Sequence, residues 1–96
     1  MNKTIYYNYL YDYYGSLLTD RQRSYYEDYY FSNLSLSEIA ENNNVSRNAV
    51  HAQLKIVIEK LEFYENNLKL YEKSQKIGKI IEKVDESIKK QIEELI

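Results

Sequence analysis

A chain of 96 residues with no proline and only two glycines has few means of turning sharply. A β-rich fold of short strands needs a turn roughly every 8–12 residues, and the residues that make such turns are missing here. Apolar side chains instead recur at steps of three and four nearly throughout, which is the period of helices packed on one face. The expected fold class is all-α: a helix-turn-helix head with a long C-terminal helical extension. A chain this short buries only roughly 60–65% of its unfolded surface, so its core is limited. The head is expected over residues 1–65, with the helix-turn-helix at 35–58, and the extension over 66–96.

The pattern of start signals divides the head. A first helix is expected from about Asn2 to Tyr14, with Tyr6, Leu10, Tyr13 and Leu17 on one stripe and Gly15 in place to stop it. Thr19 followed by Gln22 forms a capping-box pattern, in which the hydroxyl takes an orphan backbone N–H and the amide reaches back. The second helix therefore begins near Asp20 and carries Tyr25, Tyr26, Tyr29 and Tyr30. Ser35 and Glu38 repeat the box and open a short helix, Leu36 to about Asn42. Ser46 is a third N-cap, and the helix it starts meets no stop before Asn66-Asn67.

Within "LSEIAENNNVSRNAV" the small Ala40 lets two helices cross closely, Val45 fills the inside of the turn, and Ile39 and Val50 anchor the helices to the core. Asn44 occupies the turn position that needs positive φ, a conformation that asparagine tolerates. With Val50, Leu54 and Val57 facing inward, the helical period turns Ser46, Arg47, Asn48, His51 and Lys55 outward. Such a face suits a major groove: Arg47 for phosphate or a guanine edge, Asn48 for adenine, Lys55 for phosphate. It would serve equally as a solvated polar surface.

Charge argues against a strong general DNA binder. The net charge is −2, distributed as −1 over residues 1–34, 0 over 35–60 and −1 over 61–96, so no basic stripe supplies the counterion-release term that dominates DNA affinity. The twelve tyrosines could stack on bases, but Tyr, Asn, Lys and Ile also share A/T-rich codons, and gene composition explains them more simply.

The absence of cysteine removes disulfides and thiolate metal sites and fits a reducing compartment. His51 is the only histidine, without a nucleophile and base arrangement around it. No glycine-rich phosphate loop or metal-ligand spacing appears. No enzyme activity and no cofactor is expected. The N-terminal "MNKTIYYNYLYDYY" lacks an apolar export region and no run is long enough to span a membrane, so a cytoplasmic protein without membrane insertion is expected.

Val50, Leu54, Val57, Leu61, Tyr64, Leu68 and Tyr71 alternate steps of four and three, a heptad seam whose frame breaks around Ser74 to Gly78. A second seam follows at Ile77, Ile81, Val84, Ile88 and Leu95, widened by Ile80 and Ile92. Two arrangements cover it: the extension folds back on the Tyr-rich N-terminal helices, or it pairs with a second copy. A homodimer would pair two heads, which match two half-sites of a duplex if their separation approaches one helical turn.

"LTDRQRSYYEDYYFSNLSLSEIAENNNVSRNAV", Leu18 to Val50, resembles region 4 of bacterial sigma factors, which reads the promoter −35 element. Arg47 keeps a basic contact position, while Asn48, His51 and Ala52 stand where sigma domains commonly carry Glu, Arg and Gln. Over most of its length, through "LYDYYGSLLTDRQRSYYEDYY", "SLSEIAENNNVSRNAV" and "KLEFYENNLKLYEK", the chain is similar to the YlxM family of small signal-recognition-particle-associated proteins. That resemblance implies a cytoplasmic, sigma-region-4-like protein of low-G+C bacteria. It would be encoded near the particle's GTPase components, act in or regulate that targeting pathway, and have the particle's RNA or protein components as partners. The alternative is a sigma-region-4-like transcriptional regulator that binds duplex DNA through Arg47, Asn48, His51 and Lys55.

Overall fold

The side-chain caps read from the sequence are all formed, and they set where the helices begin. The computed structural model describes residues 3–96. In it α1 spans Lys3–Tyr14, α2 Asp20–Tyr26, α3 Leu36–Asn43, α4 Arg47–Leu68, α5 Leu70–Ile81 and α6 Glu86–Glu93, with no strand among the described residues. The expected helix start at Asn2 lies outside them. Thr19 Oγ1 accepts the Gln22 N–H at 3.1 Å, and Gln22 Oε1 accepts the Thr19 N–H at 3.2 Å. The Ser35 and Glu38 pair repeats this with both bonds at 3.0 Å. Ser46 Oγ accepts the Ala49 N–H at 3.1 Å. Each cap satisfies donors that a helix start otherwise leaves bare, which stabilises it by about 1 kcal/mol.

Gly15 ends α1 by closeness rather than by an unusual backbone, since no glycine has positive φ. A Cβ at Gly15 would lie 3.1 Å from the Tyr11 ring, which itself stacks on Tyr26 with centroids 4.4 Å apart. The 3₁₀ turn Gly15–Leu17 that follows corrects the expected stripe. Three residues per turn in place of 3.6 advance the chain faster around its axis. Leu17 is therefore left exposed, Leu18 is buried in its stead, and Tyr14 rather than Tyr13 is fully buried beside Leu10.

α4 is the axis on which both halves of the core are built. On one side Leu10, Tyr14, Leu18 and Tyr26 pack on Val57 and Leu61. On the other Tyr25, Ile39 and Ala40 pack on Val50 and Leu54. The consecutive Tyr25 and Tyr26 thus serve different clusters. After Tyr26 the second helix widens into a π turn, Glu27–Phe31, closed by Ser32 N–H to Glu27 O at 3.0 Å.

The expected break of the seam at Ser74 to Gly78 falls elsewhere. α5 runs straight through those residues, and the chain bends at Lys69, which adopts φ 55°, ψ 32°. The reason is Glu65, which is buried. Its carboxylate accepts the Tyr71 N–H at 3.1 Å, the Glu72 N–H at 3.0 Å and the Tyr14 hydroxyl at 2.6 Å. Tyr14 Oη in turn accepts the Leu70 N–H at 3.0 Å. The orphan donors of the first turn of α5 are thus satisfied by side chains from α1 and α4, a cap assembled across the fold.

The extension folds back, at least through α5. Tyr71 sits among Tyr6, Tyr9 and Tyr13 of α1 at centroid distances of 5.7, 5.4 and 6.5 Å. Asp85 then caps α6 through the Ser87 and Ile88 N–H groups at 2.9 and 3.1 Å. α6 returns alongside α5, bringing Ile96 near Ser74 and Tyr13. The two seams accordingly do not form one line. Leu61 and Ile81 are buried, Tyr64, Tyr71 and Ile77 half-buried, and Leu68, Val84 and Ile88 exposed.

Candidate nucleic-acid interface

The turn between α3 and α4 has the geometry its sequence demands. Asn44 stands in the left-handed region at φ 54°, ψ 43°. Val45 N–H closes the turn on Ala40 O at 3.1 Å, and Asn43 Nδ2 donates to Ile39 O at 2.7 Å. Ala40 is buried at the crossing and Val45 is half-buried beneath the turn. The Ser35 backbone N–H holds the Glu38 carboxyl below the usual carboxylate range, so the α3 cap stays charged through mildly acidic conditions.

Val50, Leu54 and Val57 face inward, and Ser46, Arg47, Asn48, His51 and Lys55 are all exposed. The structure brings these five residues together from the N-cap through the first two and a half turns of α4, a stretch of about 14 Å at 1.5 Å per residue. Among the described residues the ion pairs are Lys69 to Glu72 and Lys76 to Glu72, so Arg47 and Lys55 are not neutralised by a carboxylate. Lys60, the next cation along α4, is used otherwise: its Nζ donates to Gln22 Oε1 at 3.2 Å.

A clamp that sequence reasoning missed holds this helix at its angle to α2. Gln22 is buried, and its Nε2 donates to Gln53 Oε1 at 3.3 Å while its Oε1 receives both Thr19 and Lys60. The capping pattern flagged Gln22, but nothing local pointed to a partner 31 residues away. Tyr14 and Glu65 were missed too. Here a signal existed, because Glu65 falls four residues after Leu61 on the buried side of α4. Burial, then the Glu65 carboxylate, push the Tyr14 hydroxyl up to about 12.

Among the described residues, no group of His, Asp and Glu is placed to hold a metal ion, and no helix is long and apolar enough to cross a membrane. What the fold presents is an all-helical helix-turn-helix protein whose second motif helix exposes a polar, partly cationic N-terminal half. The family model described as "Putative helix-turn-helix protein, YlxM / p13 like" matches residues 1–96, and the chain belongs to that family, UPF0122. It is 44% identical to UPF0122 protein BH2485 of Halalkalibacterium halodurans over 98 aligned residues, covering all of this chain and 90% of the relative. It is 58% identical over 59 residues to UPF0122 protein MYPE4850 of Malacoplasma penetrans, covering 62% of this chain and 55% of that one. A UPF0122 protein of Bacillus thuringiensis is 52% identical over 68 residues, covering 71% and 62%. The chain thus spans between half and two thirds of the length of the last two relatives. The family is described by a helix-turn-helix and not by a reaction.

Proposed function

We propose that this chain is a non-enzymatic, cytoplasmic nucleic-acid-binding protein that acts as an accessory or regulatory component of the signal recognition particle pathway. The observation that carries the binding role is the exposed Arg47, Asn48, His51 and Lys55 face, with two cations unpaired among the described residues. The resemblance to the YlxM family supports the pathway. Two phosphate contacts make a weak binder on a chain of net charge −2, with a log–log salt slope of about −2 at best. Assistance from a protein component of the particle fits that weakness. A second copy, paired through the exposed Ile80, Val84 and Ile88, would double the number of cations presented.

The test is a salt titration of the purified protein against the particle's RNA, alone and with its protein subunit, and against A/T-rich duplex DNA. Tighter binding to the particle supports the role, and no binding to any particle component at low salt refutes it. Sedimentation that finds only monomer at high concentration removes the dimer. The second reading, a duplex-reading transcriptional regulator, is favoured by the turn geometry at Asn44 and Ser46, which leaves the start of α4 free to enter a major groove. A steeper and tighter curve on duplex DNA would select it.

A further inference from the structure

Beside the exposed face of α4 lies a groove of about 230 Å³, bounded by the π turn that follows α2 and by the start of α3. Its floor is apolar, made by Leu36, Leu54 and Ile58, and its rim on α4 carries His51 and Lys55. The opposite wall is Tyr29, which is 37% exposed, backed by Tyr30. No carboxylate lines this groove, whereas a second hollow, lined by Asp20, Arg23, Ser24, Glu27 and Asp28, carries three.

The tyrosine pair is built asymmetrically. Tyr30 stacks on the buried Tyr26 with centroids 4.5 Å apart, so it belongs to the core. Tyr29 meets Tyr30 only at its edge, 5.0 Å away with ring planes at 83°. The two consecutive tyrosines are set by the π turn, whose wider winding is frequent at functional sites. Arg47, His51 and Lys55 lie at successive steps of four along α4, so a strand whose phosphates follow the cations of that face is led to the mouth of the groove.

We propose that this groove is a site for one unpaired nucleobase, taken against Tyr29 over the Leu36, Leu54 and Ile58 floor, with Lys55 on the adjoining phosphate. The inference rests on the nucleic-acid reading above and deepens it. The volume lies below the roughly 300–1,000 Å³ of sites that take drug-sized molecules, which suits a single planar ring. A base held in a duplex cannot reach a lateral groove without being flipped out of its stack. The ligand class is therefore an RNA helix interrupted by a bulge or loop, whose bases are already free to stack on an aromatic side chain.

The test uses an RNA hairpin with a single bulged 2-aminopurine and the same hairpin fully paired, each titrated with wild type, Tyr29→Ala, Tyr29→Phe and Arg47→Ala. Wild type should bind the bulged hairpin tighter and quench its fluorescence. Tyr29→Ala should weaken the bulged hairpin by roughly 5- to 150-fold, remove the quench, and leave the paired hairpin unchanged. Tyr29→Phe should retain both, and Arg47→Ala should weaken both hairpins alike. Equal affinity of wild type for the two hairpins, or an equal loss on both with Tyr29→Ala, overturns the base site alone. Absence of binding to either hairpin at low salt overturns direct RNA binding by this chain and this site with it.

Discussion

Replacing Glu65 should do more damage than any exposed substitution, because three donors converge on its carboxylate. Glu65→Ala strands the Tyr14 hydroxyl and the Tyr71 and Glu72 N–H groups, now bonded at 2.6, 3.1 and 3.0 Å. A hydrogen bond to a charged group contributes about 1.5–3 kcal/mol, and a buried donor left bare costs about 1–3 kcal/mol. The two backbone donors lie at a helix start where water can partly replace the acceptor, so each should count as an ordinary cap, about 1 kcal/mol. With about 1.5–2 kcal/mol for the buried Tyr14 bond, the loss comes to roughly 3.5–4 kcal/mol, a large part of the 5–15 kcal/mol typical of a domain. Tyr14→Phe alone, which also strands the Leu70 N–H bonded at 3.0 Å, should cost about 2.5–3 kcal/mol, and the double variant should fall short of the sum by about 1–2 kcal/mol. Urea unfolding followed by circular dichroism at the helix minimum reads all three, with the Glu65→Ala midpoint lower by at least about 1 M. Costs below about 0.5 kcal/mol for both single variants, or strict additivity, would falsify the cap across the fold.

Three further outcomes follow from the same structure. Tyr14 titrates near 10.0 when exposed and at about 12 in the fold; a raised folded value means its contribution is whole below pH 10 and lost as pH rises through 12. The loss at completion is about 3 kcal/mol, and burial of Tyr26 acts in the same direction; equal urea midpoints at pH 9 and 11.5 would contradict this. Lys69 holds φ 55° without being glycine, so Lys69→Gly should stabilise by about 0.5–1 kcal/mol through relief of the left-handed penalty, since its exposed pair with Glu72 contributes little; a lower melting temperature would count against it. Arg47→Ala and Lys55→Ala should each reduce the salt slope of RNA binding by about 1, without changing the melting temperature, and an unchanged slope would take the α4 face out of the interface.

The readable parts of this chain are those whose physics is local. A cap joins residues three positions apart, so Thr19 with Gln22, Ser35 with Glu38, and Ser46 could be paired by inspection and are bonded as expected. The left-handed turn at Asn44 and the outward set Ser46, Arg47, Asn48, His51 and Lys55 follow from the period of one helix. The stripe of α1 does not extend to Leu17 because a 3₁₀ turn changes the period at Gly15, where the Tyr11 ring lies close over a residue without a side chain. The π turn that positions Tyr29 left no mark in a periodicity that assumes one winding throughout.

By itself the sequence determined the fold class, the starts of α2, α3 and α4 and the inward face of the helix-turn-helix, because breakers, caps and periodicity act over a few residues. Only the tertiary structure decided what each dry face meets. Glu65 meets Tyr14 across 51 positions, Gln53 meets Gln22 across 31, and Tyr71 enters the tyrosines of α1, so the extension bends at Lys69 and folds back. An apolar stripe or a buried carboxylate specifies a need for a partner, while the identity of that partner is a property of the whole packed chain.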